Sequence, residues 1–264
     1  MSGSHPTDGE DPVVSVVVPY APEYTPAWML KEAEESVRSQ SVPTDLIVVE
    51  DAESRGPAWA RNVGLDRAET RYVAFLDADD RWTDGKLRRQ LDRMAETGAG
   101  LCLQGDPLSF DDFVYEVFVG GLSANTSALL VDADVVDARF EERLRHGEDN
   151  LYTLEAASQG GVCLCPDLFT RRRHSDSVTA SPVDPAEFFA QDRLFATLVD
   201  DRVPAARPYL TIYYTQMFTE AGVRWAREGR HDRAVEYYLR ALRVSPHPVT
   251  LWRLLGSLLR RGLP

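Results

Sequence analysis

The stretch YVAFLDADDRW, Tyr72–Trp82, runs an apolar β-type segment directly into three carboxylates, Asp77, Asp79 and Asp80. Burying a strand end beside them costs free energy, because like charges crowd and each loses water. Two readings follow. Either a cation offsets the cost, or the acids form an exposed surface loop. The D-x-D spacing would put Asp77 and Asp79 on the same side of an extended segment. Two carboxylates so placed can share Mg²⁺ or Mn²⁺, hard cations that take oxygen ligands and keep coordination sites for a diphosphate.

Working outward, strand and helix signals alternate around this stretch. VVSVVVPY (Val13–Tyr20) is a β-branched run suited to a buried parallel strand, and DLIVVED (Asp45–Asp51) is a second. Between them Thr25 and Pro26 read as a cap and first turn for a helix over AWMLKEAEESVRSQ. GPAWARNVGLDRAE reads as a second helix with Pro57 near its start. TDGKLRRQLDRMAETG reads as a third, stopped by Gly98, and AGLCLQG as a fourth strand. The order βαβαβαβ predicts a parallel sheet with helices on both faces, whose ligands sit outside the carboxyl ends of the strands. Pro19–Tyr20, Glu50–Asp51 and Asp77–Asp80 all fall there.

Beyond Gly105 the alternation weakens. NTSALLVDADVV suggests a strand then a short helix, GEDNLYTLEAASQGG a helix ended by Gly160, and VCLCPDLFTRRRH two short strands. From Pro208 the pattern is helical. Phe218 and Trp252, Ala221 and Leu255, and Gly222 and Gly256 are each 34 residues apart, and Ala234, Tyr238, Ala241 and Pro246 take tetratricopeptide positions. The tail therefore reads as one and a half such repeats. The expected divisions are a disordered leader (1–12), a first half (13–105), a second half of the same domain (106–205) and the helical tail (206–264).

Composition excludes several classes. No run of eighteen apolar residues crosses a membrane, and the start lacks a secretory signal. Three cysteines, Cys102, Cys163 and Cys165, fit a reduced cytoplasmic protein, with Cys163 and Cys165 on one strand face as a metal or redox pair or as core residues. The net charge of −13 is uneven: nine arginines against three acids give Ala221–Pro264 a charge of +6, leaving −19 on the first 220 residues. So acidic a body does not bind nucleic acid through its general field. Two lysines against 27 arginines, with the acid excess, suggest a halophile's hydrated surface, a GC-rich genome being the other reading. GxGxxG, P-loop and CxxC patterns are absent.

Taken jointly and in order, VSVVVPY, LIVVED, AWARNVGL, YVAFLDADDRW and KLRRQL resemble the family 2 glycosyltransferases of GT-A fold. The likeness continues through ARFEERLRHGEDNLYTLEAASQGG and RRRHSDSVTAS, to about residue 180. It implies an α/β fold, a Rossmann-like mixed sheet with helices on both faces, here with a small C-terminal helical extension. It also implies residue roles. Pro19 and Tyr20 would border a nucleobase whose imide N–H donates to Asp51, and Arg61 would lie near base and phosphates. Asp77 would hold the ribose or metal-bound phosphate region. Asp79 and His174 would ligate Mn²⁺ or Mg²⁺, Arg171 would help neutralise the diphosphate, and Asp80 would bind a water or cap the next helix. Asp149, beside Glu148, would be the general base. The implied reaction is inverting transfer of one sugar from a UDP-, GDP- or dTDP-sugar to a glycan or polyprenyl-phosphate-linked acceptor, building surface glycan or glycoprotein on the cytoplasmic side.

EDAES replaces the family's usual DDGS, the first strand ends PYAPEY rather than in Thr-Tyr-Asn, and the Q-x-x-R-W element of processive synthases is absent. The last absence points to transfer of a single sugar, while EDAES and the short segment between Gly105 and Asn125 keep open a non-catalytic nucleotide-binding or scaffolding protein on the same fold. A haloacid-dehalogenase-type phosphatase fits poorly, because the acid pair lies on the third strand and Arg81 stands where Thr or Val is needed. The basic tail admits three readings: a solvated face, docking on the acidic body, or peripheral contact with an anionic membrane.

Overall fold

Val14–Tyr20 forms β1, a strand of β-branched residues buried along most of its length. Parallel neighbours flank it: β2 (Thr44–Glu50) on one side and β3 (Tyr72–Phe75) on the other. Helix α1 (Ala27–Arg38) connects β1 to β2, and α2 (Pro57–Arg67) connects β2 to β3. The computed structural model describes residues 11–106, 108–119, 122, 125–172 and 184–260. By contact density these fall into two units, the described parts of Met1–Phe113 with Ser123–Ser181, and of Val114–Leu122 with Pro182–Pro264.

In the first unit the sheet is six-stranded, in the order β2-β1-β3-β6-β5-β7. Its remaining strands are β5 (Leu101–Gln104), β6 (Leu130–Asp132) and β7 (Val162–Cys165), and β4 (Arg81–Trp82) pairs separately with β8 (Phe169–Thr170). The sheet is thus mixed, as the resemblance implies, and not parallel throughout as the local alternation alone predicts. The late strand β6 inserts antiparallel between β3 and β5, so the fourth predicted strand does not pair with the third. NTSALLVDADVV also runs in the reverse order to that expected, a 3₁₀ turn (Thr126–Ala128) and then β6.

Helix α4 (Phe110–Val119) follows β5, and close approaches fix two other helices. A Cβ on Gly64 of α2 would lie 2.1 Å from Val17 Cγ1, so the helix rests directly on β1. At the end of α5 (Glu148–Gly160), the Gly100 N–H donates to the Gly160 carbonyl at 2.6 Å, and a Cβ on either glycine would meet the other's Cα within about 3.0 Å. Helix α3 (Lys86–Thr97) ends at Gly98 with φ 71°, as expected. Helix α1 begins at Ala27 with Pro26 before it and no side-chain cap, so Thr25 does not cap it. Cys102, Cys163 and Cys165 are buried thiols on β5 and β7, with Cys102 Sγ 3.7 Å from Cys165 Sγ.

In the second unit, α6 (Pro185–Arg202) is capped by the Asp184 carboxylate, which accepts from the N–H groups of Ala186 and Glu187. Three further helices follow: α7 (Leu210–Arg227), α8 (His231–Val244) and α9 (Pro248–Arg260). Gly222 of α7 lets Tyr238 of α8 close in, since a Cβ there would lie 2.5 Å from the ring. The aromatic stretch of α7 packs as core, with Tyr213 against Phe195 and Phe118. No described helix is long and apolar enough to cross a membrane.

Candidate active site

The carboxyl ends of β2, β1 and β3 lie side by side, which brings Asp51, Pro19–Tyr20 and Asp77 to one edge of the sheet. The Asp51 N–H donates to the Tyr20 carbonyl at 2.8 Å, tying the ends of β2 and β1. Its carboxylate accepts from the N–H groups of Arg55 and Gly56 at 2.8 and 2.7 Å, and thereby shapes the loop entering α2. Each oxygen keeps a second lone pair for a ligand donor. Pro19 and Tyr20 are half-buried beside it.

Asp77–Asp80 is not extended. The Asp80 N–H donates to the Asp77 carbonyl at 2.9 Å, closing a turn after β3, so the expected same-side display of Asp77 and Asp79 gives way to three different environments. Asp77 faces Arg61, whose Nη2 donates to Oδ1 at 2.8 Å, and Thr126, whose hydroxyl lies 3.0 and 3.1 Å from the two oxygens. Asp79 is half-buried. Asp80 is 2% exposed and does not cap α3. It accepts from Ser127 Oγ at 2.6 Å and from the Arg172 N–H at 3.1 Å. Burial pushes its carboxyl up to about 6, against the Ser127 and Arg172 bonds that favour the ion.

Arg61 is the hub. It is 5% exposed, and its second terminal nitrogen, Nη1, donates to Glu148 at 3.2 Å, so one guanidinium joins the turn after β3 to the head of α5. Burial opposes its charge, but Asp77 and Glu148 outweigh burial and hold its pKa above the ordinary value. Part of the neutralisation assigned above to a bound cation is thus supplied by the protein. Asp149 follows Glu148 in the first turn of α5, where the helix dipole favours negative charge. Desolvation and then the Glu148 charge nevertheless push its carboxyl up to about 7, against the pull of Arg61 and the Asn150 N–H. A carboxyl poised near neutrality is matched to proton transfer.

Arg171 is exposed, and Arg172 reaches α1, donating to Glu32 at 2.6 Å and lying 5.1 Å over the Trp28 ring. His174, expected as a metal ligand, lies outside the described residues. The sequence reading missed Thr126 and Ser127. Ser127 Oγ accepts the Asp77 N–H at 3.1 Å, its carbonyl accepts from Trp82 Nε1 at 2.8 Å, and Asn125 caps the turn. The available signal was NTS, three hydrogen-bonding side chains directly before an apolar strand, where buried polar groups require partners.

Among the described residues no three His, Cys, Asp or Glu side chains gather as a metal cage. The donor chemistry suits a different kind of site: Mg²⁺ or Mn²⁺ held by one or two carboxylates, with the other positions left to phosphate oxygens and water. Asp79, half-buried at the turn, offers one such carboxylate.

The mixed α/β fold is shared with solved structures. The S. aureus TarS 1–349 structure with UDP-GlcNAc superposes with a TM-score of 0.64 at 17% identity, covering 94% of this chain and 89% of that one. The fold is GT-A. Mannosyltransferase PcManGT from Pyrobaculum calidifontis, in complex with GDP-Man and Mn2+, is a second GT-A neighbour, with a TM-score of 0.54 at 17% identity over 97% and 82% of the chains. Residues 25–117, which carry Asp51, Arg61 and the Asp77–Asp80 turn of this GT-A sheet, match the family described as Glycosyl transferase family 2. A curated relative, the putative teichuronic acid biosynthesis glycosyltransferase TuaG of Bacillus subtilis, is 33% identical over 127 residues, 38% of this chain and 49% of its own length. The chain thus spans about half of that relative.

Proposed function

We propose that the protein is an inverting glycosyltransferase that moves one sugar from a nucleotide-diphosphate donor to a hydroxyl of a glycan or polyprenyl-phosphate-linked acceptor. The observation that carries this is the Asp77–Arg61–Glu148 bridge, which brings the poised carboxyl of Asp149 within the charge network of the turn after β3. Asp149 accepts the proton of the acceptor hydroxyl, whose oxygen bonds to the anomeric carbon as the bond from that carbon to the diphosphate breaks. The diphosphate leaves with the electron pair and needs no proton, so one catalytic carboxylate suffices.

The donor would lie along the ends of β1 and β2, its base bordered by Pro19 and Tyr20 and donating to Asp51. A divalent cation on Asp79, aided by Asp77 and His174, would supply charge stabilisation on the departing diphosphate. Arg171 would add to that stabilisation from the chain after β8. Arg61 orders Asp77 and Glu148 and offsets their negative charge beside the phosphate region. The structural neighbours solved with UDP-GlcNAc and with GDP-Man and Mn2+ support a sugar nucleotide as donor. The relatives' roles in glycan biosynthesis support a glycan acceptor.

The test is a panel of UDP-, GDP- and dTDP-sugars, each with and without Mn²⁺, read by thermal stabilisation. A true donor at about a hundred times its Kd adds about 2.7 kcal/mol. Stabilisation by one donor, together with transfer lost in Asp149→Asn, supports the reading. Donor binding with neither transfer nor hydrolysis would move the protein to the non-catalytic, nucleotide-binding alternative.

A further inference from the structure

Helix α9 repeats the register of α7 at a distance of 34 residues, yet the two helices meet opposite fates. On α7, Ala221 is buried, Gly222 lies against the Tyr238 ring, and Phe218 and Trp225 are packed in core clusters. Their counterparts on α9 are bare. Trp252 is 75% exposed, Leu259 is 79% exposed, Leu255 is exposed, and a Cβ on Gly256 would meet nothing within 4 Å. Leu251 and Leu258 are exposed as well. At 100° per residue, Leu258, Leu251, Leu255, Leu259 and Trp252 follow one another around an arc of about 120° that carries no charge. The opposite stripe, Thr250, Leu254 and Ser257, is buried, so α9 is already seated on its own unit and the arc is a second apolar face.

Charge decides what this face suits. Arg260 and Arg253 are exposed about 80–100° round the helix past Trp252, beyond the exposed Val249, within reach of a surface only through their long side chains; no acid stands on α9, and Ala221–Pro264 carries +6. Arg253 is held only loosely, 3.9 Å from Glu220. Pairing two copies through α9 would bring two such basic segments together, at a Coulombic cost. An anionic bilayer meets both features at once: each arginine near its surface contributes about 1 kcal/mol, and Trp and Leu side chains enter the headgroup boundary while arginines reach back to the phosphates.

We propose that α9 is a monotopic membrane contact, which lays Leu251, Trp252, Leu255, Leu258 and Leu259 into the interface of an anionic lipid bilayer. The contact stands apart from the transferase reading, because it uses no residue of the first unit.

The test is co-sedimentation of the whole chain with vesicles of phosphatidylcholine alone and of phosphatidylcholine mixed with phosphatidylglycerol, at low and high salt. Binding to the mixed vesicles should exceed binding to the neutral ones by about tenfold or more, the yield of two arginines at the surface, and should weaken with salt. The charge-neutral variant Trp252→Ser/Leu255→Ser/Leu259→Ser alters only exposed side chains, so its circular dichroism should match the parent while vesicle binding is lost. Arg253→Gln/Arg260→Gln should lose the preference for anionic vesicles and keep the weaker neutral binding. No association with the mixed vesicles, or equal association by the serine variant, overturns the proposal. So does a dimer in vesicle-free sedimentation that the serine variant disperses, which would assign the face to a second copy. Donor-induced thermal stabilisation, measured in parallel, tells failure of this contact from failure of the transferase reading.

Discussion

At Asp149, the proposed base, the burial that raises its pKa also costs stability. Its folded pKa is raised to about 7 from the ordinary 3.8, so the folded chain holds that proton more tightly than the unfolded one between those values. The corresponding stability is fully present below about 4 and is lost as pH rises through 7. Asp149→Asn should therefore raise the melting temperature at pH 8 while lowering turnover about 10²–10⁴-fold with donor affinity unchanged, as calorimetry and a transfer assay would read. The parent's turnover should fall as pH drops through about 7, because the protonated carboxyl accepts nothing. Lys86 carries the opposite sign. It is fully buried, its Nζ has no hydrogen-bond partner and lies 3.9 Å over the Trp82 ring. Burial lowers its pKa to about 7, partly offset by the nearby thiols of Cys102 and Cys165. Below that value the folded chain must charge a buried amine, so stability should rise from pH 7 towards 10 by on the order of 2–4 kcal/mol. Chemical denaturation across that range should show Lys86→Met flattening the rise, and an unchanged slope would contradict the account.

Among the elements, the 3₁₀ turn at Thr126–Ala128 does the most for the site while carrying no reacting group. Removing the Ser127 hydroxyl leaves the Asp77 N–H without its acceptor and Asp80 without its shortest donor. Ser127→Ala should cost about 1–3 kcal/mol in urea unfolding, the usual penalty for a buried group left unpaired. Helix α2 makes a sharper case: Gly64→Ala should destabilise by about 1–3 kcal/mol through overpacking on Val17, and Val17→Ala in the same chain should recover part of that loss. These elements also mark what was readable in advance. The strands and helices on either side of Tyr72–Trp82 were legible because β-branched runs and helix-period runs are local signals. The turn at Asp77–Asp80 was not, since alternation assumes extended backbone and the bend depends on partners from Thr126, Ser127 and Arg172, 47 to 92 residues away in sequence. Arg61 was legible as a site residue, but its ties to Asp77 and Glu148 needed coordinates.

For the whole molecule, sheet order was the least legible property. Local pattern says that a segment is a strand, but not that β6, formed late in the chain, will slip antiparallel between β3 and β5. Charge was fully legible and has a measurable consequence. With −13 overall and −19 before Ala221, self-repulsion opposes the folded state, and added KCl should raise the melting temperature until the screening length falls to a few ångströms. A melting temperature indifferent to salt would show that repulsion to be already neutralised by internal ion pairs. The contact between Gly100 and Gly160 has a further bearing on the molecule. It clamps α5 at one end, and Asp149 stands eleven residues away at the other, about 17 Å along a stiff rod. Any side chain at either glycine would wedge the rod at its fulcrum, and a tilt of only a few degrees would swing the far tip by about an ångström, enough to misaim a proton acceptor. The two residues with the least chemistry in the fold thus govern the aim of the proposed base.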